Sequence, residues 1–486
     1  MSETNSSKVF KGLRVQTLVT VSQVVIHLAY FSILSRLLSK EDFGYFGIIT
    51  AVTYILSEIS NAGLGASIVQ RKEPTPGFIS TAFGLSVLFG TIFSILLFIF
   101  ASTLSSLLVS TDHLYMPFCL MSVTLLLSNV NSATRALFIR KLEFLKYGII
   151  ILISSVLSSL LGIGFAYYGY GLYAILIAVI TNYFFIFVFS VLRLDGVPRP
   201  KIIKVYIRDI VSYGGWLTFS AVIRSLYEQI DRLITTRWIS VALLGTYVRS
   251  SGFVINASMT VNGIFDTILF PILSKMQDSK EQLKASYLKS MDLILIFSFV
   301  ICSSVLLSSE LLITIFLGSQ WLDTLMLFQI VALSMLFHPF AQVGDSFFRS
   351  IGIVKQYFFV RMVVCIASIL FVFLGCTMYG ITGLAIAYVL GRVLDFSIKT
   401  VALNGYIKVS AVELFKNAKT SFLIVLVLFA FSFGVKIFFG GVVGCIVGLS
   451  LFYLAMLLAL VYRPYIFGDT FYLYVYGKFY GRIHSK

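Results

Sequence analysis

No polar stretch in this chain is long enough to fold as a water-soluble domain, and charge is scarce. Asp, Glu, Lys and Arg make up 12% of the 486 residues, against 58% hydrophobic ones. That balance, with a mean hydropathy of +0.96, excludes a soluble globular enzyme and leaves a polytopic membrane protein. Acidic residues are scarcer than basic ones, 21 against 37, and the net charge is +16. In a soluble chain this excess would suggest nucleic acid. Here it is expected in loops facing the anionic cytoplasmic leaflet, and no nucleic-acid partner is expected. The five cysteines, Cys119, Cys302, Cys365, Cys376 and Cys445, lie in or beside apolar runs without CxxC spacing or nearby histidine pairs, so they read as packing residues. Catalytic signatures are missing too: there is no GxxxxGK[ST], no HExxH and no GxSxG, and the glycines of Asn61-Ala-Gly-Leu-Gly-Ala-Ser are too few for a dinucleotide site. Neither catalysis nor a cofactor or metal is expected of this chain.

What the chain has in abundance is long apolar runs. After a short polar, basic tail (residues 1–13), spans are predicted at 15–38, 44–69, 77–109, 114–139, 144–168 and 171–192. A basic connector at 195–208 with Pro198 and Pro200 separates this first six-helix lobe (14–194) from a second (209–405). The second lobe's spans fall at 210–239, 243–273, 288–307, 322–348, 357–379 and 383–403. Two further spans within 406–462, at 415–439 and 441–462, precede an aromatic and basic tail (463–486). The expected fold is thus all-α, with about fourteen transmembrane helices.

Basic residues test this count. Arg36, Lys40, Arg237 and Lys436 fall in odd-numbered connections and Arg135, Arg224, Arg232 and Arg249 within spans. The rest group with the two tails and the even-numbered connections, which puts both termini in the cytoplasm.

One apolar run carries charge it should not have. Between Tyr213 and Phe253, Arg224, Glu228, Asp231 and Arg232 recur at four, three and one residues, on one flank of a helix. A charged side chain at mid-bilayer costs about 2.5 to 3.5 kcal/mol on insertion scales, so this flank must face a bundle interior or water. The run also has a counterpart. Ser35 to Phe46 reads SRLLSKEDFGYF and Thr236 to Tyr247 reads TRWISVALLGTY, aligning Arg36, Ser39 and Gly44 with Arg237, Ser240 and Gly245 at an offset of 201 residues. FIRKLEFLKY (138–147) likewise matches FFRSIGIVKQ (347–356), and Tyr168-Gly169 matches Tyr379-Gly380. An internal duplication of six spans each, an even number, gives halves of the same orientation, related by an axis along the membrane normal and enclosing a central cavity.

The duplication gives the charged flank a partner in the first span, where Gln16, Thr20, Gln23 and His27 form a polar stripe; Gln23 aligns with Arg224 and His27 with Glu228. Arginine presents a planar fork of donors to an anion, and amides can both donate and accept hydrogen bonds. Cavity candidates are therefore Arg224, Arg232, Arg249, Arg135, Gln23, Asn61 and Asn256. Candidates for ion coupling are Glu228, Asp231, Glu58 and His27. The competing reading is that Arg224 with Glu228, and Glu228 with Arg232, merely neutralise one another. Asp266, Arg349, Arg392 and Asp395 are expected at solvated cytoplasmic helix ends.

SRLLSKEDFGYF followed by NAGLGASIVQRKE (61–73), then DRLITTRWISVALLGTYVRS (231–250) and LFPILSKMQD (269–278), resembles the polysaccharide transporter family. These are Wzx-type lipid-linked oligosaccharide flippases of the multidrug/oligosaccharidyl-lipid/polysaccharide superfamily. The resemblance implies two six-helix lobes plus two extra helices in the cytoplasmic (inner) membrane, moving an undecaprenyl diphosphate-linked repeat unit between leaflets. It implies as partners that lipid-linked oligosaccharide, membrane lipid, and a polymerase with chain-length machinery. Two other classes stand beside it: a multidrug exporter, which would favour twelve spans and a more acidic cavity, and a membrane-embedded polymerase, which would carry a large external loop.

The basic-residue asymmetry generates a topology test. Reporters fused after Lys201, Lys280 and Lys408 should read cytoplasmic, and those after Asp112 and Gly169 external; an external signal at Lys280 would overturn the fourteen-span arrangement.

Overall fold

A computed structural model describes residues 3–61, 63–71, 73–109, 112–194, 196–255, 279–351, 353–409 and 411–462. Predicted features at Asn256, Asp266, 269–278 and 463–486 lie outside them. The described residues are largely helical and fall into two compact units, Met1–Val248 and Arg249–Lys486.

The first unit holds α1 (Glu3–Leu37), α2 (Lys40–Asn61), the short α3 (Leu64–Gln70), α4 (Pro76–Val109), α5 (Tyr115–Arg140), α6 (Phe144–Tyr167), α7 (Leu172–Arg193) and α8 (Lys204–Ile234). It ends inside α9 (Val241–Ile255). The second unit continues with α10 (Lys280–Leu307), α11 (Ser309–Leu312), α12 (Leu325–Ala332), α13 (His338–Ile351), α14 (Val354–Ile407), α15 (Ala411–Phe439) and α16 (Gly441–Tyr462). Among the described residues, eleven helical stretches are long and apolar enough to cross a membrane, so the chain is an all-α polytopic membrane protein.

One difference from the sequence reading has a simple cause. The predicted tenth span is broken into α12 and α13 by a 3-10 turn, Leu333–Leu336. The break falls just before Pro339, which has no N–H to donate to a preceding turn and is accommodated in the first turn of α13. α14 comprises two helical arms that meet at a kink, as the predicted spans 357–379 and 383–403 require. It reverses at Gly380, whose φ of 57° and ψ of −134° suit only glycine. Gly171, between α6 and α7, has φ 51° and ψ −129°. Two helical hairpins therefore turn on the same glycine conformation, at an offset of 209 residues.

In lipid the hydrophobic effect does not drive helix against helix, so close packing of small residues must hold the bundle. The α2–α9 crossing shows this. A Cβ on Gly44 would strike the Val241 carbonyl, and one on Gly245 would strike the Lys40 carbonyl. The two contacts exchange under the 201-residue offset, as a local two-fold relation requires. Gly47, whose added Cβ would lie 2.6 Å from a Val248 methyl, pairs with its own equivalent and so sits beside that local axis. The flanking serines repeat as well. Ser39 and Asp42 cap α2 reciprocally, with the Ser39 hydroxyl donating to Asp42 Oδ2 at 2.7 Å and Asp42 N–H donating to Ser39 Oγ at 3.2 Å. Ser240 Oγ accepts from Leu243 N–H at 3.3 Å at the start of α9. Asp42 also accepts the Leu172 N–H at 2.8 Å, tying α2 to α7.

The basic connector is a strap laid along α4. Lys201 N–H donates to Ser80 O and Ile203 N–H to Thr81 Oγ1, both at 3.3 Å. α8 follows it and packs beside α2. In the second unit, α10, α13 and α14 share a core around Tyr287, Phe347 and Phe348, and α15 and α16 pack on α10 around Val425 and Phe452.

The crossing supplies a stability test. Gly44→Leu overpacks α2 against α9 and should cost about 1 to 3 kcal/mol. Gly434→Ala, with nothing within 4 Å of the added carbon, should be neutral or stabilising by about 0.5 to 1 kcal/mol. Thermal unfolding of the purified proteins in detergent reads both; equal melting temperatures for Gly44→Leu and the wild type would refute the close crossing.

Candidate functional site

Two helices of the first unit carry polar stripes on one face. On α2 it runs Phe46, Thr50, Thr53, Tyr54, Ser57, Glu58 and Asn61, and on α5 Met121, Thr124, Leu125, Ser128, Asn131, Ser132 and Arg135. Steps of three, four and one residues keep each set on one side of its helix. The stripes face a cavity of about 880 Å³, closed by Val179, Tyr183 and Ile186 from α7 and by Thr218, Ala221, Gln229 and Arg232 from α8. From Phe46 to Asn61 the lining covers about 22 Å of α2.

Polar groups are tolerated there because most are already satisfied. Thr50 and Thr53 hydroxyls donate back to the Phe46 and Ile49 carbonyls at 2.7 and 2.9 Å. Ser57 and Ser128 hydroxyls meet at 3.1 Å across α2 and α5, and Asn129 Nδ2 donates to Ser60 Oγ at 2.7 Å. Asn131 Nδ2 donates to the Tyr183 carbonyl at 2.9 Å. The wall is thus stapled by hydrogen bonds, while Tyr54, Tyr147 and Tyr183 bring aromatic side chains to the lining.

Charge enters at discrete points. Arg135 from α5, Arg232 from α8 and Glu58 from α2 all reach the cavity. Arg224 approaches Glu58 at 3.8 Å across the α2–α8 contact, with the two side chains 43% and 25% exposed. Glu228 lies within electrostatic reach of Glu58 and Tyr54. The structure therefore brings together Arg135, Arg224, Arg232, Glu58, Glu228 and Asn61 of the predicted residues.

Others it places elsewhere. Asp231 is buried; Tyr247 donates its hydroxyl to Asp231 Oδ2 at 2.6 Å, and the carboxylate's other oxygen accepts the Arg232 N–H. Gln23 and His27 are on α1, half-buried and exposed respectively, outside the cavity lining. Arg249 is buried at the start of the second unit. The sequence reading missed Gln229, the three tyrosines and the hydroxyl-bearing residues. For Tyr54 and the hydroxyl-bearing residues of α2 and α5 a signal was present as the three-and-four spacing that continues from Glu58 and Arg135, carried by neutral side chains.

The second unit treats charge differently and corrects one expectation. Arg392 and Asp395, expected at a solvated helix end, are buried, as are Arg361 and Lys399. Lys399 Nζ lies 2.6 Å from Asp345 and 2.8 Å from Asp395, and also donates to the Ala341 carbonyl. Arg361 pairs with Asp345 and donates to the Tyr357 hydroxyl. These groups stitch α13 to both arms of α14. The reason is packing: Gly344 on α13 leaves room for the Lys399 stem, 3.3 Å from where a Cβ would stand, so Lys399 is drawn into the interior rather than toward an end.

A polytopic helical chain with an arginine-bearing cavity among its spans has the architecture of a membrane transporter, not of an enzyme. A family model for the polysaccharide biosynthesis protein family matches residues 33–326, and the chain belongs to that family. It is 22% identical to the lipopolysaccharide biosynthesis protein WzxC of Escherichia coli (strain K12), over 80% of this chain and 79% of that protein. It is 21% identical to the teichuronic acid biosynthesis protein TuaB of Bacillus subtilis (strain 168), over 89% and 90%. Its fold resembles the inward closed conformation of the lipid II flippase MurJ, with a TM-score of 0.73, 14% identity and coverage of 93% of this chain and 99% of that one. The family resemblance read from the sequence is borne out.

The dry network generates a stability prediction. Asp345→Asn leaves Arg361 and Lys399 facing each other in an apolar core and should cost about 3 to 5 kcal/mol. Adding Lys399→Met should recover part of that. Denaturation in mixed micelles measures both; an unchanged single variant would show that the network contributes nothing.

Proposed function

We propose that this transporter flips an undecaprenyl diphosphate-linked oligosaccharide repeat unit from the cytoplasmic to the outer leaflet for surface polysaccharide synthesis, by alternating access between the two sequence repeats. The observation that carries this reading is the cavity: arginines from α5 and α8 in one lining, with amides, hydroxyls and tyrosine side chains along the rest. Such a lining supplies what a diphosphate sugar loses when it leaves water. Arg224 and the lining arginines Arg135 and Arg232 are the groups available to the diphosphate along the cavity, and Asn61, Asn131 and the hydroxyls of α2 and α5 hydrogen-bond the sugars, whose affinity for flat aromatic faces suits Tyr54, Tyr147 and Tyr183. The polyprenyl chain stays in lipid. The names of WzxC and TuaB, both polysaccharide biosynthesis proteins, and the flippase fold support the reading. A cavity lined by two arginines and one glutamate disfavours the drug-exporter alternative.

In this reading both termini are cytoplasmic, the connector 195–208 is a cytoplasmic strap, and a polymerase with its chain-length machinery receives the product outside. Ion coupling, by Glu228 or another of the carboxylates, drives the cycle.

Loss of the protein should strand a lipid-linked repeat unit on the cytoplasmic leaflet. Arg232→Ala and Arg135→Ala should each lower flipping about tenfold or more at normal protein level, and Arg232→Lys should retain part of it, since lysine keeps the charge but not the bidentate fork. Vesicles reconstituted with each variant and a fluorescent lipid-linked sugar give the rates. Full transport by both alanine variants would defeat the reading.

A further inference from the structure

The chain contains ion pairs of two kinds, and the difference between them is informative. In the second unit Lys399 lies 2.6 Å from Asp345 with side chains 2% and 5% exposed, a closed contact away from water. In the first unit Arg224 and Glu58 are 3.8 Å apart and 43% and 25% exposed. That separation is beyond hydrogen-bond length, and both groups keep much of their solvation. Such a pair is weak and screened, and little holds it against competition.

Its position gives the weakness a use. Glu58 lines the cavity and Arg224 comes from α8, so their attraction spans two helices that belong to different halves of the duplication. Glu228 shares the neighbourhood, so two carboxylates compete for the field of one arginine. An incoming group with two or more negative charges and several oxygens offers that arginine a better partner than either single carboxylate.

We propose that Glu58 is the resident counter-ion of Arg224 in the empty cavity, and that the diphosphate of the substrate displaces it. The inference rests on the diphosphate reading above. Glu58 is then a positioning residue. It neutralises Arg224 while the site is empty, preventing an uncompensated cation in the membrane interior, and its release unties α2 from α8 only when a diphosphate has taken its place. An anion of single charge does not complete the exchange. Specificity for a diphosphate over a monophosphate carrier follows from that competition.

The test is a double-mutant cycle on the full chain in lipid nanodiscs, titrated calorimetrically with inorganic pyrophosphate and, in parallel, the singly charged diester dimethyl phosphate. The proteins are wild type, Glu58→Gln, Arg224→Gln and the double variant, each checked for folding by thermal unfolding. Glu58→Gln should bind pyrophosphate about tenfold more tightly than wild type, because the competing carboxylate is gone. It should also narrow the preference for pyrophosphate over dimethyl phosphate. Arg224→Gln should bind weakly, and in its background the Glu58→Gln change should have little further effect, since the displaced pair no longer exists. Glu58→Asp, which keeps the charge on a shorter stem, should fall between wild type and Glu58→Gln. Equal gains from Glu58→Gln with and without Arg224 would show simple repulsion and overturn the displacement, while leaving the diphosphate reading standing. Absence of pyrophosphate binding in all four proteins would overturn that reading and this inference together.

Discussion

An ionised side chain inside a bilayer must be given either water or a partner, and this requirement organises both units. A charge at the membrane centre is disfavoured by about 2.5 to 3.5 kcal/mol even on the mildest scales, so none is placed idly. The second unit meets the requirement by exclusion. Asp345 receives Arg361 and Lys399, Asp395 receives Lys399, and the whole set is sealed among α13 and the arms of α14. The first unit meets it by hydration, with Arg135, Arg232 and Glu58 opening onto a cavity. A sealed network resists rearrangement because any broken pair leaves a bare charge in an apolar medium. A hydrated one can exchange partners at small cost. The two solutions suit opposite tasks, rigidity in one unit and ligand exchange in the other.

Backbone packing answers a second constraint. Without water to squeeze helices together, contact has to come from close approach, and glycine at the crossings permits it. The reciprocal contacts of Gly44 with Val241 and of Gly245 with Lys40 show how a duplicated sequence generates its own complementarity: each copy brings the small residue that the other copy's carbonyl requires. One consequence is that the duplicated stretch cannot diverge freely at these positions, even though the neighbouring Asp42 and Leu243 have already parted chemically.

Much of the fold was legible in the sequence because its signals are long-range in composition and short-range in pattern. Apolar runs located most of the described helices to within a few residues. The match of Ser39 and Gly44 to Ser240 and Gly245 marked a duplication, and the same glycines turn out to make the α2–α9 crossing. Glu58, Asn61, Arg135 and Arg232 were legible as polar groups of the interior because charge or amide in an apolar run needs a reason. Thr50, Ser57, Ser128 and Gln229 were not, since a hydroxyl or amide can satisfy itself against its own helix and so gives no energetic alarm. The buried network was illegible for a different reason. Asp345 and Lys399 lie on separate helices with Gly380 between them in sequence, and although a turn between two spans was legible there, no local spacing announces which side chains meet across it. Gln23 and His27 illustrate the converse: a well-formed polar stripe on α1 that the unit leaves outside its cavity lining.

The cavity's neutral residues also bear on how a transporter can release what it binds. Three arginines closing permanently on a diphosphate would make a trap, because charge-assisted contacts in a low-dielectric site are strong. On the proposed reading, hydroxyls already bonded to their own carbonyls, as in Thr50 and Thr53, would bind a sugar only through their remaining lone pairs and so would hold it loosely. Glu58 and Glu228 add carboxylates that compete with the ligand for the arginines. Tight recognition is thereby confined to a few groups that also have resident partners to return to. The chemistry that makes the site selective is the same chemistry that lets it empty.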